Sequence, residues 1–97
     1  MEFEWDPAKN EANIAKHGLD FADAEALFEN DVYAAKDTRK DYGEERWRGI
    51  GKLHGRVLVV VWTDREPGKR RIISLRRANE RERQAYRKAV EDGLGEG

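Results

Sequence analysis

Arginine carries most of the chemistry this sequence could do. Residues 70–86, RRIISLRRANERERQAY, combine a strand-like run, a helix-start signal and a dense set of guanidiniums. Between Lys69 and Lys88, nine Lys/Arg stand against two Glu, although the whole chain has a formal charge of only −1. A guanidinium is always charged and matches phosphate oxygens with two parallel hydrogen bonds. Arg76 and Arg77 close the strand-like run just before Asn79, where the free N–H groups of a helix start would add to an anion site. Arg46 and Arg48 bracket Trp47 in a second strand-like run. Trp47, Trp62 and Tyr86 could supply stacking platforms for unpaired bases. These residue types point to a polyanionic partner, for which single-stranded RNA is one candidate.

Each of these residues also has a plainer reading. The run Glu80-Arg81-Glu82-Arg83 can be a solvated helix face with local ion pairs, and Arg81 and Arg87 fit it. Asn79 followed by Glu82 resembles a capping box, which explains Glu82 without chemistry. His17 suits the end of a helix, where it meets the dipole, and His54 suits a turn. Trp5, Trp47 and Trp62 suit a core.

The elements that must position these side chains can be read along the chain. A short edge strand is expected at residues 3–5. Asp6-Pro7 starts a helix that ends at His17-Gly18, since Asp accepts from free N–H groups and Gly takes the left-handed cap. Asp20 starts a second helix, with Phe21, Ala24, Leu27 and Phe28 forming a buried stripe. Strands follow at residues 32–36, 45–53, 56–63 and 70–78. Residues 37–44 form a polar loop, Gly49 and Gly51 mark a close backbone approach, and His54-Gly55 is a hairpin turn. Residues 56–63, RVLVVVWT, are continuously apolar and predict a central strand covered on both faces. Simple alternation over the last strand puts Arg70, Ile72, Ser74 and Arg76 on one face and Arg71, Ile73, Leu75 and Arg77 on the other. A final helix starts at Asn79, with Ala85, Tyr86, Ala89 and Val90 inside.

This order predicts an α+β fold: two N-terminal helices, an antiparallel sheet of three to four strands and a C-terminal helix. Residues 1–91 form a single domain and residues 92–97 a flexible C-terminal tail. With 40% charged and 38% hydrophobic residues, the core is small. The absence of cysteine excludes disulfides, thiolate catalysis and cysteine-ligated metals. Neither histidine has partners at metal-ligand spacing, so no metal and no cofactor is expected. The opening MEFEWDPAKN lacks the pattern of a secretory signal, and the longest apolar run is too short to span a membrane. The expectation is a soluble cytoplasmic protein without a membrane role. The first 46 residues hold thirteen Asp/Glu against six Lys/Arg, so the chain pairs an acidic first half with a basic close.

Four motifs recur here in order: W-D-x-x-K-x-x-x-N-x-x-K-H-G from Trp5, G-E-x-R from Gly43, I-S-x-R-x-A from Ile73 and E-R-x-x-Y from Glu82. In these motifs the chain closely resembles the BrnT family, toxins of bacterial type II toxin–antitoxin systems. The resemblance implies a RelE-like ribonuclease fold and an RNA-cleaving toxin that inhibits translation. It also implies a BrnA-type ribbon-helix-helix antitoxin, joined in a heterotetramer that represses its own operon, so that operator DNA is reached only through the antitoxin. Of the candidate catalytic residues, Arg46 and Arg76 occupy fixed positions of the shared motifs. A metal-free ribonuclease uses the ribose 2′-hydroxyl as nucleophile and needs cations around the phosphate. The expected catalytic set is Arg76 and Arg77 on the scissile phosphate, Arg46, and Glu45 as base, with His17 the second candidate base. Arg48, Arg71, Lys16, His17 and Arg83 are the expected RNA-binding set. A non-catalytic RNA-binding or antitoxin-binding module is the alternative.

Overall fold

The computed structural model describes residues 1–95. A five-stranded mixed sheet carries helices on both faces. Its strands are β1 (Glu2–Glu4), β2 (Val32–Lys36), β3 (Trp47–Leu53), β4 (Arg56–Arg65) and β5 (Lys69–Arg77), in the order β1-β5-β4-β3-β2. The expected antiparallel sheet of three to four strands is thus corrected in two respects. The N-terminal segment joins as a fifth strand, and it runs parallel to β5. The other neighbours are antiparallel. Central β4 is buried from Leu58 through Thr63, as its unbroken apolar run requires.

Helix α1 (Pro7–His17) starts where Asp6 accepts from the Ala8 N–H at 2.9 Å and ends at Gly18, whose φ of 69° is left-handed. The expected second helix is a 3-10 turn over Phe21–Asp23 followed by a short helix α2 (Ala24–Phe28). The break keeps the apolar stripe intact. Phe21, Ala24 and Leu27 are fully enclosed against Leu58, Val60, Trp62, Ile72 and Leu75, with Phe28 packed alongside. Gly49 and Gly51 make this possible. A Cβ on Gly49 would lie 2.6 Å from Val32 and 2.9 Å from Trp62, and one on Gly51 would lie 2.9 Å from Leu27. Helix α3 (Glu80–Gly95) crosses the other face, where Tyr86 meets Tyr33 edge-on at 5.9 Å. It runs on past the expected frayed end at Asp92; residues 96 and 97 lie outside the described residues.

One irregularity reverses the expected faces of β5. Trp62 pairs with Ile72 but Val61 pairs with Ser74, so Ile73 is an extra residue in β5. Such a bulge shifts the alternation by one. Ile72 and Leu75 both enter the core beside α1 and α2, and Arg70 follows them, lying 4.7 Å from the Phe28 ring and 5.0 Å from the Trp62 ring. Arg71, Ser74 and Arg76 turn instead to the α3 face, opposite Thr63, Val61 and Val59.

β1 covers β5 only as far as Arg71. Beyond it Asn13 of α1 acts as a substitute strand. Its Nδ2 donates to the Leu75 carbonyl at 2.8 Å and to the Leu19 carbonyl at 2.9 Å, and its Oδ1 accepts from the Leu75 N–H at 3.3 Å. Asn13 is 7% exposed, so these backbone groups have no access to alternative water partners. Asn13→Ala should therefore lower the unfolding free energy by about 2–4 kcal/mol, read as a shifted urea midpoint at unchanged slope.

Candidate active site

The site is built where β5 hands over to α3. Glu82, in the first turn of α3, completes the capping box: Asn79 N–H donates to Glu82 Oε1 at 2.9 Å and Glu82 N–H donates to Asn79 Oδ1 at 2.8 Å. The same carboxylate takes both ends of the Arg76 guanidinium, Nη1 at 2.7 Å and Nη2 at 2.8 Å. Arg48 reaches it from β3, with Nη2 at 3.5 Å. Capping and cation-anchoring are thus one arrangement. The Arg76 guanidinium is the main reason that the Glu82 carboxyl falls from 4.5 to about 2, against the cost of its burial. The pairing with Glu82 in turn raises the Arg76 pKa.

A third guanidinium comes from the polar loop after β2. Arg39 donates through Nε and Nη2 to the two oxygens of Asp37, each at 2.8 Å. Its positive charge lies close enough to oppose that of Arg76. The Asp37 side chain is 1% exposed. It also accepts from the Arg39 N–H at 3.2 Å and from the Tyr42 hydroxyl at 3.2 Å. These bonds, that from the Arg39 side chain first, hold its carboxyl well below the usual range. Arg39 and Arg48 flank a cleft of about 490 Å³ on the α3 face, floored by Tyr33, Ala35 and Ile50. Three cations from separate segments, two of them more than a quarter exposed at Glu82 and one at 55%, converge on this region. A cluster of this kind binds phosphate and stabilises charge that grows on it.

The expected site residues divide accordingly. Arg76 and Arg48 come together. Arg77 does not join them: it pairs with Leu58 in register, and neighbouring strand residues point to opposite faces. Arg46 stays on the loop side, its guanidinium 4.2 Å from the Tyr42 ring and its Nε 2.9 Å from Glu44. It is still coupled to Asp37, whose N–H donates to the Arg46 carbonyl at 2.7 Å. The Glu45 carboxylate pairs with Lys36 at 3.7 Å, more than half exposed. Lys36 stands opposite Trp47, on the α1/α2 face, so Glu45 is not placed beside Arg76. Lys16 and His17 end α1 on that same face. Arg71 shares the α3 face but is bound to Glu4 at 2.8 Å, near the opposite edge. Arg83 lines a separate groove with Lys52 and Tyr86, and donates to the Ala78 carbonyl and to Glu80. Sequence reasoning missed Arg39, Asp37 and Tyr42. The available signal was Asp two residues before Arg in a segment rich in turn formers. Among the described residues no three metal-ligating side chains come together.

Residues 5–82 match the family described as the ribonuclease toxin BrnT of type II toxin–antitoxin systems. The chain belongs to the BrnT family. The crystal structure of the Brucella abortus ribonuclease toxin BrnT is similar at 34% sequence identity and a TM-score of 0.62, covering 82% of this chain and 99% of that one. No curated protein matches the chain. As a BrnT, the protein is a member of a ribonuclease-toxin family, and type II membership implies an antitoxin partner. All four motif segments contribute to the structure just described. Asn13 closes a strand edge, Glu44 and Arg46 pair with each other, Arg76 lies near the end of β5, and Glu82 holds it. No helix is long and apolar enough to cross a membrane.

The lowered Glu82 pKa has a stability consequence with a definite sign. Its contribution is present in full above the unfolded value of 4.5 and is lost as pH falls through the folded value of about 2. At neutral pH it amounts to about 3 kcal/mol. Glu82→Gln should lower stability at pH 7 and flatten the loss between pH 4.5 and 2, measured by thermal unfolding across that window.

Proposed function

We propose that this BrnT is a metal-independent endoribonuclease that cleaves RNA through the ribose 2′-hydroxyl and thereby inhibits translation. The observation that carries the reading is that Arg48 lines one cleft with Arg39 and shares the Glu82 carboxylate with Arg76. RNA lies along the α3 face with its scissile phosphate at Arg76 and Arg48. Arg76 is fixed by Glu82 through two of its donors and keeps others for a phosphate oxygen. Arg48 and Arg39 are exposed enough to take further oxygens. Attack by the 2′-hydroxyl builds negative charge on the pentacoordinate phosphorus, and preorganised guanidiniums stabilise that charge more than the ground state.

Glu82 is held too acidic to accept a proton efficiently near neutral pH. The reading therefore puts most of the rate in charge stabilisation, with the 2′-hydroxyl proton passing to water. Glu45 enters only if RNA binding draws it away from Lys36. Arg46 and Arg71 contact flanking phosphates. The partner is an antitoxin of the BrnA, ribbon-helix-helix type, joined in a heterotetramer, and operator DNA is contacted through it. The carboxylate paired with Arg76 is Glu82, whose lowered pKa makes it a poor base, and this favours a second reading as an RNA-binding module.

Incubation of the antitoxin-free protein with end-labelled RNA in excess EDTA separates the two: cleavage to 2′,3′-cyclic phosphate ends supports the enzyme, and binding without cleavage supports the module. Arg76→Ala should retain the fold and lower the cleavage rate by about 30- to 1,000-fold, the effect of about 2–4 kcal/mol of lost transition-state stabilisation. Full activity in that folded variant would remove Arg76 from the mechanism.

A further inference from the structure

The sheet treats its free edges unequally. The outer strand β1 is only three residues long, and the uncovered part of β5 has Asn13 against it. β2 is five residues long, pairs with β3 without a bulge, and is exposed from Tyr33 through Lys36. Short length, proline and bulges are the usual means of blunting an edge, and charge is another. β2 has no proline and no bulge, and only Lys36 at its end is charged.

Its backbone directions follow from one bond. Asp37 N–H donates to the carbonyl of Arg46, the residue opposite it in the β2–β3 register. Hydrogen-bonded and non-bonded pairs alternate in antiparallel strands. Tyr33 and Ala35 therefore aim their backbone groups at β3, while Ala34 and Lys36 aim theirs outward. Among the described residues no strand pairs with that outer side. The small side chains of Ala34 and Ala35 leave the edge flat. The cleft opens beside it, with Arg39 and Arg48 on the α3 face and the exposed Lys36 and Lys40 close in sequence.

We propose that β2 is the docking strand for the antitoxin, which adds an extended, acidic segment to its outer edge. Main-chain bonds to Ala34 and Lys36 supply the attachment, and carboxylates on alternate residues of the segment reach Arg39 and Arg48. The cations around the edge select an acidic occupant. An added strand also lies across the approach to the cleft, so attachment and inhibition are one event. This inference rests on the ribonuclease reading for that consequence, but the strand pairing can be tested without it.

The test uses the ¹⁵N-labelled chain alone and in complex with its cognate antitoxin. In the complex the Ala34 and Lys36 amides should exchange with deuterium at least tenfold more slowly, while Tyr33 and Ala35 are already protected in the free chain. Unchanged exchange at Ala34 and Lys36 would overturn the proposal, as would concentration-dependent protection in the free chain, which would make the edge a contact between two copies. Ala34→Pro removes one outward N–H without touching a β2–β3 bond. It should raise the antitoxin Kd about tenfold and leave RNA cleavage unchanged. A folded Ala34→Pro variant with wild-type affinity would sink the docking strand but not the nuclease. Absence of cleavage by the free wild-type chain, with the exchange pattern as expected, would sink the nuclease but not the docking strand. If RNA rather than antitoxin protects the two amides, the edge belongs to substrate and the proposal fails.

Discussion

A single carboxylate joins the folding of this protein to its chemistry. Glu82 closes the N-terminus of α3, fixes Arg76 near the end of β5 and draws in an arginine from β3. A buried carboxylate is costly unless its oxygens are fully engaged. Here two guanidiniums and a backbone N–H engage them. The cost of burying the anion then becomes a constraint: with α3 docked on the sheet, Glu82 favours one orientation of Arg76. Cations that would otherwise sample many rotamers at a strand end are thereby preorganised before any anion binds.

The polar loop after β2 repeats the device with another carboxylate. Asp37 is almost inaccessible, yet its partners Arg39 and Tyr42 reach the surface. Asp37 also receives the bond network that ties residues 37–46 back to the strand. Both anions are neutralised inward by arginines whose remaining donors face outward. Through Asp37, the acidic first half of the chain therefore contributes directly to a basic site. Net charge near zero conceals this local ordering of opposite charges.

Much of the fold was legible in the sequence because its signals are local. Asp6-Pro7 and Gly18 bound α1, the run at residues 56–63 announced the central strand, and Asn79 with Glu82 announced the last helix. Less legible were features that depend on distant partners. The short N-terminal strand was expected, but its parallel pairing depends on the edge that β5 offers it. The second helix splits because Asn10 and Asp20 fix a 3-10 turn ahead of it. For the candidate site, composition pointed to arginine and the motifs pointed to Arg76, which the structure places against Glu82 together with Arg48. Side-chain direction was the obstacle. Arg77 and Glu45 have the right chemistry but face away, whereas Arg39 sits in a stretch that reads as an ordinary loop.

The bulge at Ile73 has a further implication for how such proteins diverge. Ile72 and Ser74 already oppose consecutive residues of β4, so a chain lacking Ile73 would form an unbroken ladder with Arg76 still opposite Val59. Its signature would still read I-S-x-R-x-A, with Ile72 supplying the first letter. A relative one codon shorter at this point would therefore keep both the geometry and the letters, and the deletion would pass unnoticed in a comparison of motifs alone.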